Sequence, residues 1–233
     1  RNNVLHAKRL LDLLVEFPPE EYFCVSTDKA ANPVNIMGAS KRIMEDVIFS
    51  YSDQYPVKTA RFANVAFSNG SLPAGFLARL QKLQPLSAPS DVKRFFVSPE
   101  ESGQICMLAC MLGKNREIFY PRLKEEQMMT FDKIAIDLLH AHGYEVLECE
   151  SDEEAIDISD ELKNGSKKYP VHFSKSDTSG EKSYEEFYTD EEKVDEQRLK
   201  SLGIIIEKQM PDSNKIDKLF EQLEMLFEEE TVS

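Results

Sequence analysis

The sequence has no tryptophan, only nine glycines and four cysteines. None of the glycines falls in a G-x-G-x-x-G pattern, so the glycine-rich turn of a dinucleotide site is not written here. The cysteines, Cys24, Cys106, Cys110 and Cys149, lack the paired spacing of a zinc site. Cys106 and Cys110 stand four apart in an apolar helical pattern, which favours burial in a core over a metal site. That usage fits a reducing compartment, and a cytoplasmic location is expected. No apolar run approaches the ~20 residues of a membrane helix, and no basic-then-apolar leader opens the chain.

Charge is unevenly spread, with acidic groups in excess in the second half. Residues 1–120 carry 14 basic and 12 acidic groups, a balance of +2, whereas residues 121–233 carry 14 basic and 30 acidic groups, a balance of −16. Such acidity repels a phosphate backbone and argues against nucleic-acid binding. The apolar fraction is 41 % and the charged fraction 30 %, ordinary for a globular chain of 233 residues.

Periodicity in the first half alternates between helix and strand. A helix is expected over Val4–Leu14, a strand over Tyr22–Val25, a helix over Ile36–Ser50 and a strand over Val57–Phe62. Helices follow near Leu72–Gln84 and Pro99–Leu112, then a strand at Glu117–Tyr120 and a helix from Thr130 to His142, closed by Gly143. Units of that length imply parallel strands joined by crossovers. The second half reads as a short helix over Asp152–Leu162, a turn at Asn164–Ser166, a polar loop over Ser174–Lys182 and an amphipathic helix over Asn214–Glu229. Ile216, Leu219, Leu223 and Leu226 form the apolar stripe of that last helix. The acidic stretch Glu148–Glu154 reads as a solvated helix start rather than a metal site. Two regions are expected, 1–120 and 121–233.

The stretch Val25–Arg42, VSTDKAANPVNIMGASKR, concentrates reactive groups. Thr27, Asp28 and Lys29 follow directly on a strand, where open α/β sheets bind their ligands. A hydroxyl, a carboxyl and an amine side by side suit a substrate that must be both protonated and deprotonated. Lys41 lies near the start of the next helix. From spacing alone, loop polar residues and a helix-surface lysine are the favoured reading of the stretch.

This segment resembles the active-site segment of extended short-chain dehydrogenase/reductases, in the branch of UDP-N-acetylglucosamine 4,6-dehydratases and capsular polysaccharide biosynthesis proteins. There a strand ends in Ser-Thr-Asp-Lys-Ala, followed by Asn-Pro and a Tyr-x-x-x-Lys helix start. Here Met37 stands where that tyrosine is expected, and a thioether cannot take a proton. Asn3-Val4, RFANVAFSNGSLP (Arg61–Pro73), DVKRFFVSPEES (Asp91–Ser102) and SDTSGEKSYEEF (Ser176–Phe187) resemble further family segments in the same order. In the last of them, Thr178 replaces an expected arginine. The likeness covers about residues 1–190.

The resemblance implies an α/β fold: the C-terminal part of a doubly wound, Rossmann-like parallel sheet, with a smaller α/β substrate-binding region. The chain opens inside a helix pattern, so the cofactor pyrophosphate site is expected upstream of Arg1. The implied reaction is NAD(P)-dependent 4,6-dehydration of a UDP-N-acetylhexosamine for surface polysaccharide. Hydride leaves sugar carbon 4, water is lost across carbons 5 and 6, and hydride returns to carbon 6. By that likeness Thr27 bonds the 4-oxygen, Asp28 protonates the departing 6-hydroxyl and Lys29 is the base at carbon 5. Lys41 holds the nicotinamide ribose, and Met37 packs or positions. Asn64, Ser71, Arg94 and Glu181 become candidate substrate contacts; Asn64 also reads as a loop cap, Arg94 as a stem covering Phe95 and Phe96, and Glu181 as a solvated charge. No metal is expected. A homo-oligomer is, paired through the Val4–Leu14 and Ile36–Ser50 helices. A nucleotide-sugar 4-epimerase and an inactive interaction module are the alternatives.

Overall fold

The computed structural model describes residues 2–176 and 185–229. The elements run α1 (Ala7–Glu16), β1 (Tyr22–Thr27), α2 (Ile36–Ser50), β2 (Val57–Phe62), α3 (Leu72–Gln81), β3 (Leu86–Pro89), α4 (Pro99–Leu112) and β4 (Glu117–Pro121). They continue α5 (Phe131–Ala141), β5 (Glu145–Cys149), α6 (Asp152–Ile158), α7 (Asp160–Lys163), β6 (Lys168–Ser174), β7 (Lys193–Asp195), β8 (Leu202–Ile206) and α8 (Ser213–Glu229).

Two compact units share the chain. One comprises residues 1–62, 103–122 and 186–233, and the other residues 63–102 and 123–185. The division is interleaved rather than a single cut at residue 120. The reason lies in β8, whose apolar run Leu202–Ile206 pairs antiparallel with β4 and so returns the C-terminal stretch to the first sheet.

The first unit is built on a five-stranded sheet in the order β1-β2-β4-β8-β7. β1, β2 and β4 run parallel, as helix–strand alternation requires; β8 and β7 are antiparallel additions. Every residue of β2 is buried, which matches the continuous run of a strand covered on both faces. α2 buries Met44, Val47, Ile48 and Phe49. The Tyr55 hydroxyl donates to the Leu11 carbonyl at 3.1 Å and ties α1 to the segment before β2. On α8 the stripe is shifted from expectation. Ile216 and Phe220 are buried, whereas Leu226 is 59 % exposed. Phe220 takes an inner position, and the Lys8 ammonium lies over its ring, 5.5 Å from the centroid.

The second unit holds a parallel three-stranded sheet, β3-β6-β5. Its core joins Phe76 and Leu80 of α3, Ala135 and Leu139 of α5, Leu162 of α7, and Leu86, Ala88, Tyr169 and Val171 of the sheet. Two short pairings, Asn64–Val65 with Phe96–Val97 and Lys93–Arg94 with Met129–Thr130, complete it. Leu139 is fully buried among these residues. Leu139→Ala is expected to destabilise the unit by about 2–5 kcal/mol. A shift of its urea transition to lower denaturant measures this.

Candidate functional site

The turn after β1 is set by local chemistry. Thr27 is extended and its hydroxyl oxygen accepts the Lys29 amide at 3.4 Å, opening a short 3-10 turn over Asp28–Ala30. The Ala31 amide closes it on the Asp28 carbonyl at 3.0 Å. Asp28 is 4 % exposed, and its carboxylate is answered from both sides. The Thr27 hydroxyl donates to Asp28 Oδ1 at 2.6 Å. Lys29 Nζ donates to the same oxygen at 3.2 Å and to Oδ2 at 3.5 Å. Three neighbours in sequence thus form one hydrogen-bonded cluster at the C-terminal end of a parallel strand.

α2 is placed against this turn by a glycine. A Cβ on Gly38 would lie 2.6 Å from the Lys29 carbonyl oxygen, closer than real contacts allow. The amide of Gly38 donates to the Asn35 side chain at 2.9 Å, which caps α2. Met37 sits at that helix start, 45 % exposed. Lys41, one turn on, donates from Nζ to the Val25 carbonyl at 3.2 Å and lies 3.8 Å from the Met44 sulfur. The lysine is therefore anchored to the same strand through the backbone of Val25. An ammonium has three donors, so one is left for a ribose hydroxyl, which is the fit the cofactor role asks of it.

Beneath the turn lies a buried ionic chain with no counterpart in the sequence reading. Ser26 Oγ donates to Glu45 Oε1 at 2.6 Å. Arg61 donates to both oxygens of Glu45 (Nε at 3.0 Å, Nη2 at 2.8 Å). It also donates to both oxygens of Glu192 (Nη1 at 2.7 Å, Nη2 at 2.9 Å), and to the Phe187 carbonyl at 2.8 Å. Lys208 Nζ reaches Glu192 at 2.8 Å. Arg61 and Glu45 are both 0 % exposed. Burial works against the Arg61 charge, but Glu45 and Glu192 outweigh it and hold the guanidinium ionised. Burial also penalises the Glu192 carboxylate. Hydrogen bonds and charge from Arg61 and Lys208 overcome that and bring it down to about 2. The signal was present in the sequence as two charges inside apolar patterns: Glu45 on the buried side of α2, and Arg61 in a fully buried strand.

The remaining candidates lie in the second unit. Ser71 accepts the Ala74 amide at 3.3 Å and caps α3. Asn64 Nδ2 donates to the Phe95 carbonyl at 3.1 Å and to the Glu185 carboxylate. Arg94 is buried, with Nη1 on the Lys93 carbonyl at 2.8 Å and Nε 3.9 Å from Glu185. Glu185, which sequence reasoning did not single out, also accepts the Phe95 amide at 2.8 Å. The partners of Ser71, Asn64 and Arg94 described here are protein groups. Glu181 lies outside the described residues.

Among the described residues no cluster of His, Cys, Asp and Glu could hold a metal, and no helix is long and apolar enough to cross a membrane. Burial pushes the Cys24 thiol up to about 11, which keeps it protonated and unreactive. His172 pairs with Asp152 at 3.0 Å. A cavity of about 680 Å³ in the first unit is lined by Arg42, Asp46, Thr189, Glu192, Lys208 and Ile216, among others. None of Thr27, Asp28, Lys29, Met37 or Lys41 lines it, so concavity alone does not mark the reactive turn.

The family model described as polysaccharide biosynthesis protein matches residues 1–207. The chain belongs to that family. It is 29 % identical over 213 residues to the capsular polysaccharide biosynthesis protein CapD of Staphylococcus aureus, covering 89 % of this chain and 34 % of that protein. Over the first curated relatives, the chain spans 24–45 % of their lengths. The fold is shared with Pen from Bacillus thuringiensis, at a TM-score of 0.68, 18 % identity, and coverage of 90 % of this chain and 60 % of that one. It is also shared with DesIV, a dTDP-glucose 4,6-dehydratase from Streptomyces venezuelae solved with NAD, at a TM-score of 0.54, 18 % identity, and coverage of 75 % and 56 %. The chain shares their α/β architecture.

Two outcomes are expected from this geometry. Gly38→Ala should force the first turn of α2 away from Lys29 and lower the unfolding midpoint, whereas Gly75→Ala, where a Cβ meets nothing within 4 Å, should not. The folded-state pKa of Glu192 lies below its ordinary 4.5. Its contribution is therefore present above about pH 4.5 and lost as pH falls toward about 2. Glu192→Gln should be less stable than the parent at pH 7, and denaturation at stepped pH should show that gap closing across the window.

Proposed function

We propose that the full-length protein is an NAD(P)-dependent 4,6-dehydratase of a UDP-N-acetylhexosamine, serving surface polysaccharide synthesis in the cytoplasm. The observation that carries this reading is the Thr27–Asp28–Lys29 cluster, with one carboxylate oxygen shared by a hydroxyl and an ammonium. The family membership and the fold shared with a 4,6-dehydratase support it.

The chemistry follows from the cluster. When bound, the nicotinamide supplies the hydride acceptor for carbon 4 and the donor for carbon 6, with Lys41 on its ribose. The Thr27 hydrogen is committed to Asp28, so its oxygen lone pairs are what it offers a substrate 4-hydroxyl. The substrate proton passes to Thr27 Oγ1 as the threonine proton moves to Asp28 Oδ1. This answers the absence of a tyrosine, because Met37 cannot accept that proton. The 4-ketone acidifies carbon 5; Lys29, once it has given its ammonium proton to solvent, takes the carbon 5 proton as base. Asp28 then returns the stored proton to the 6-hydroxyl, which leaves as water. Lys29 finally gives its proton back to carbon 5. A carboxylate that first accepts and then donates is general base and acid in one turnover.

A 4-epimerase needs no acid–base pair at carbons 5 and 6, so Asp28 and Lys29 favour dehydration. Incubation of the full-length protein with UDP-N-acetylglucosamine should give a product lighter by one water. An isomeric sugar of unchanged mass would instead establish the epimerase, and an unaltered substrate the inactive module. Lys29→Ala and Asp28→Asn should each lower turnover by about 10²–10⁴-fold. The two separate with preformed 4-keto-6-deoxy product in deuterated water. Asp28→Asn should still exchange the hydrogen on carbon 5, and Lys29→Ala should not.

A further inference from the structure

We propose that the buried chain Ser26–Glu45–Arg61–Glu192 is a positioning device that fixes the Thr27–Asp28–Lys29 turn relative to Lys41. The proposal deepens the dehydratase reading and rests on it for its kinetic consequence, though not for its structural one.

Three features carry it. The first is sequence adjacency: Ser26 immediately precedes Thr27, and Glu45 stands four residues after Lys41, so on the same side of α2. The 2.6 Å bond between Ser26 and Glu45 therefore joins the residue behind the reactive hydroxyl to the helix face that carries the lysine. The second is completeness. Every N–H of Arg61 is used: one on Nε and two each on Nη1 and Nη2 go to Glu45, Glu192 and the Phe187 carbonyl. A planar fork gripped by two carboxylates has little rotational freedom, and it orients Glu45 rigidly. The third is economy. Buried ion pairs return little net stability compared with apolar packing of the same volume. Arg61 and Glu45 occupy fully buried positions where Leu or Met would serve a purely structural need. What a charged fork adds at such a place is direction.

Glu192 and Lys208 extend the device. Glu192 also accepts the Thr189 amide at 3.1 Å, and Lys208 follows β8. The segment from Phe187 to Glu192 is thus fastened to the strand and helix that bear the reactive groups. Asn32, in the loop between the turn and α2, is held by Glu186 at 2.8 Å from the same stretch. Ser26, Glu45, Arg61 and Glu192 touch no reacting atom in this scheme; they act through Thr27 and Lys41.

The test uses the full-length protein with Ser26→Ala, which cuts the link and leaves Arg61 paired, and Ser26→Thr, which keeps the hydroxyl. Amide hydrogen exchange is read for the peptide covering Thr27–Ala31 and for peptides of β2 and β4. Ser26→Ala is expected to speed exchange in the turn at least about tenfold, leave β2 and β4 unchanged and keep the melting temperature of the parent. Ser26→Thr should restore the slow rate. With UDP-N-acetylglucosamine, kcat of Ser26→Ala should fall about tenfold with KM within about twofold. Unchanged exchange in the turn overturns the proposal, as does faster exchange spread evenly over β2 and β4, which marks general loosening. If the turn loosens as expected but the parent protein dehydrates no nucleotide sugar, the dehydratase reading fails and the positioning device stands.

Discussion

The structure depends on a single guanidinium. Arg61 sits at 0 % exposure near the C-terminal end of β2, and its charge is tolerable only because Glu45 and Glu192 meet it with both oxygens each. Removing either partner would leave a buried charge uncompensated, and such losses typically cost about 3–5 kcal/mol. The strand, the helix that carries Lys41 and the C-terminal stretch are therefore held by mutual electrostatic need as well as by apolar burial. The neighbouring Glu117–Arg198 and Lys58–Glu21 pairs lie toward partly exposed positions and bind the sheet less strictly.

Above that pair, close packing sets the chemistry. A carboxylate at 4 % exposure is costly unless its lone pairs are engaged, and here a hydroxyl and an ammonium engage them. Gly38 lets α2 approach near enough to brace the backbone of the turn. The cluster is thus pre-organised: Thr27, Asp28 and Lys29 already hold one another through hydrogen bonds.

Much of this was legible in the sequence. The bounds expected for Ile36–Ser50, Val57–Phe62 and Pro99–Leu112 are those observed; the two helices are long, and Val57, Ala60 and Phe62 mark a strand that its polar residues do not interrupt. The strands of the second unit were not. β5 reads E-V-L-E-C, and its acidic neighbours suggest a solvated helix start. β6 contains Pro170, which argues against a central strand. The structure resolves that conflict: β6 pairs with β3 only from Val171 onward, so Pro170 has one neighbouring strand and no ladder bond to lose on the other side. β8 was missed because Leu202–Ile206 lies in an acidic, irregular half where no alternation leads up to it. At the site, local order was readable and long-range pairing was not. Thr27, Asp28 and Lys29 are consecutive, whereas Arg61 and Glu192 stand 131 positions apart.

That separation bears on how the chain acquires its shape. Synthesis delivers β1, α2 and β2 early, yet the second carboxylate for Arg61 and the antiparallel strands that finish the sheet emerge only after the whole intervening unit. Until then the nascent first unit carries an ionic core one partner short. Loop-closure entropy over such a span slows assembly. The interleaved unit, residues 123–185 in particular, is positioned along the chain to fold while the first one waits.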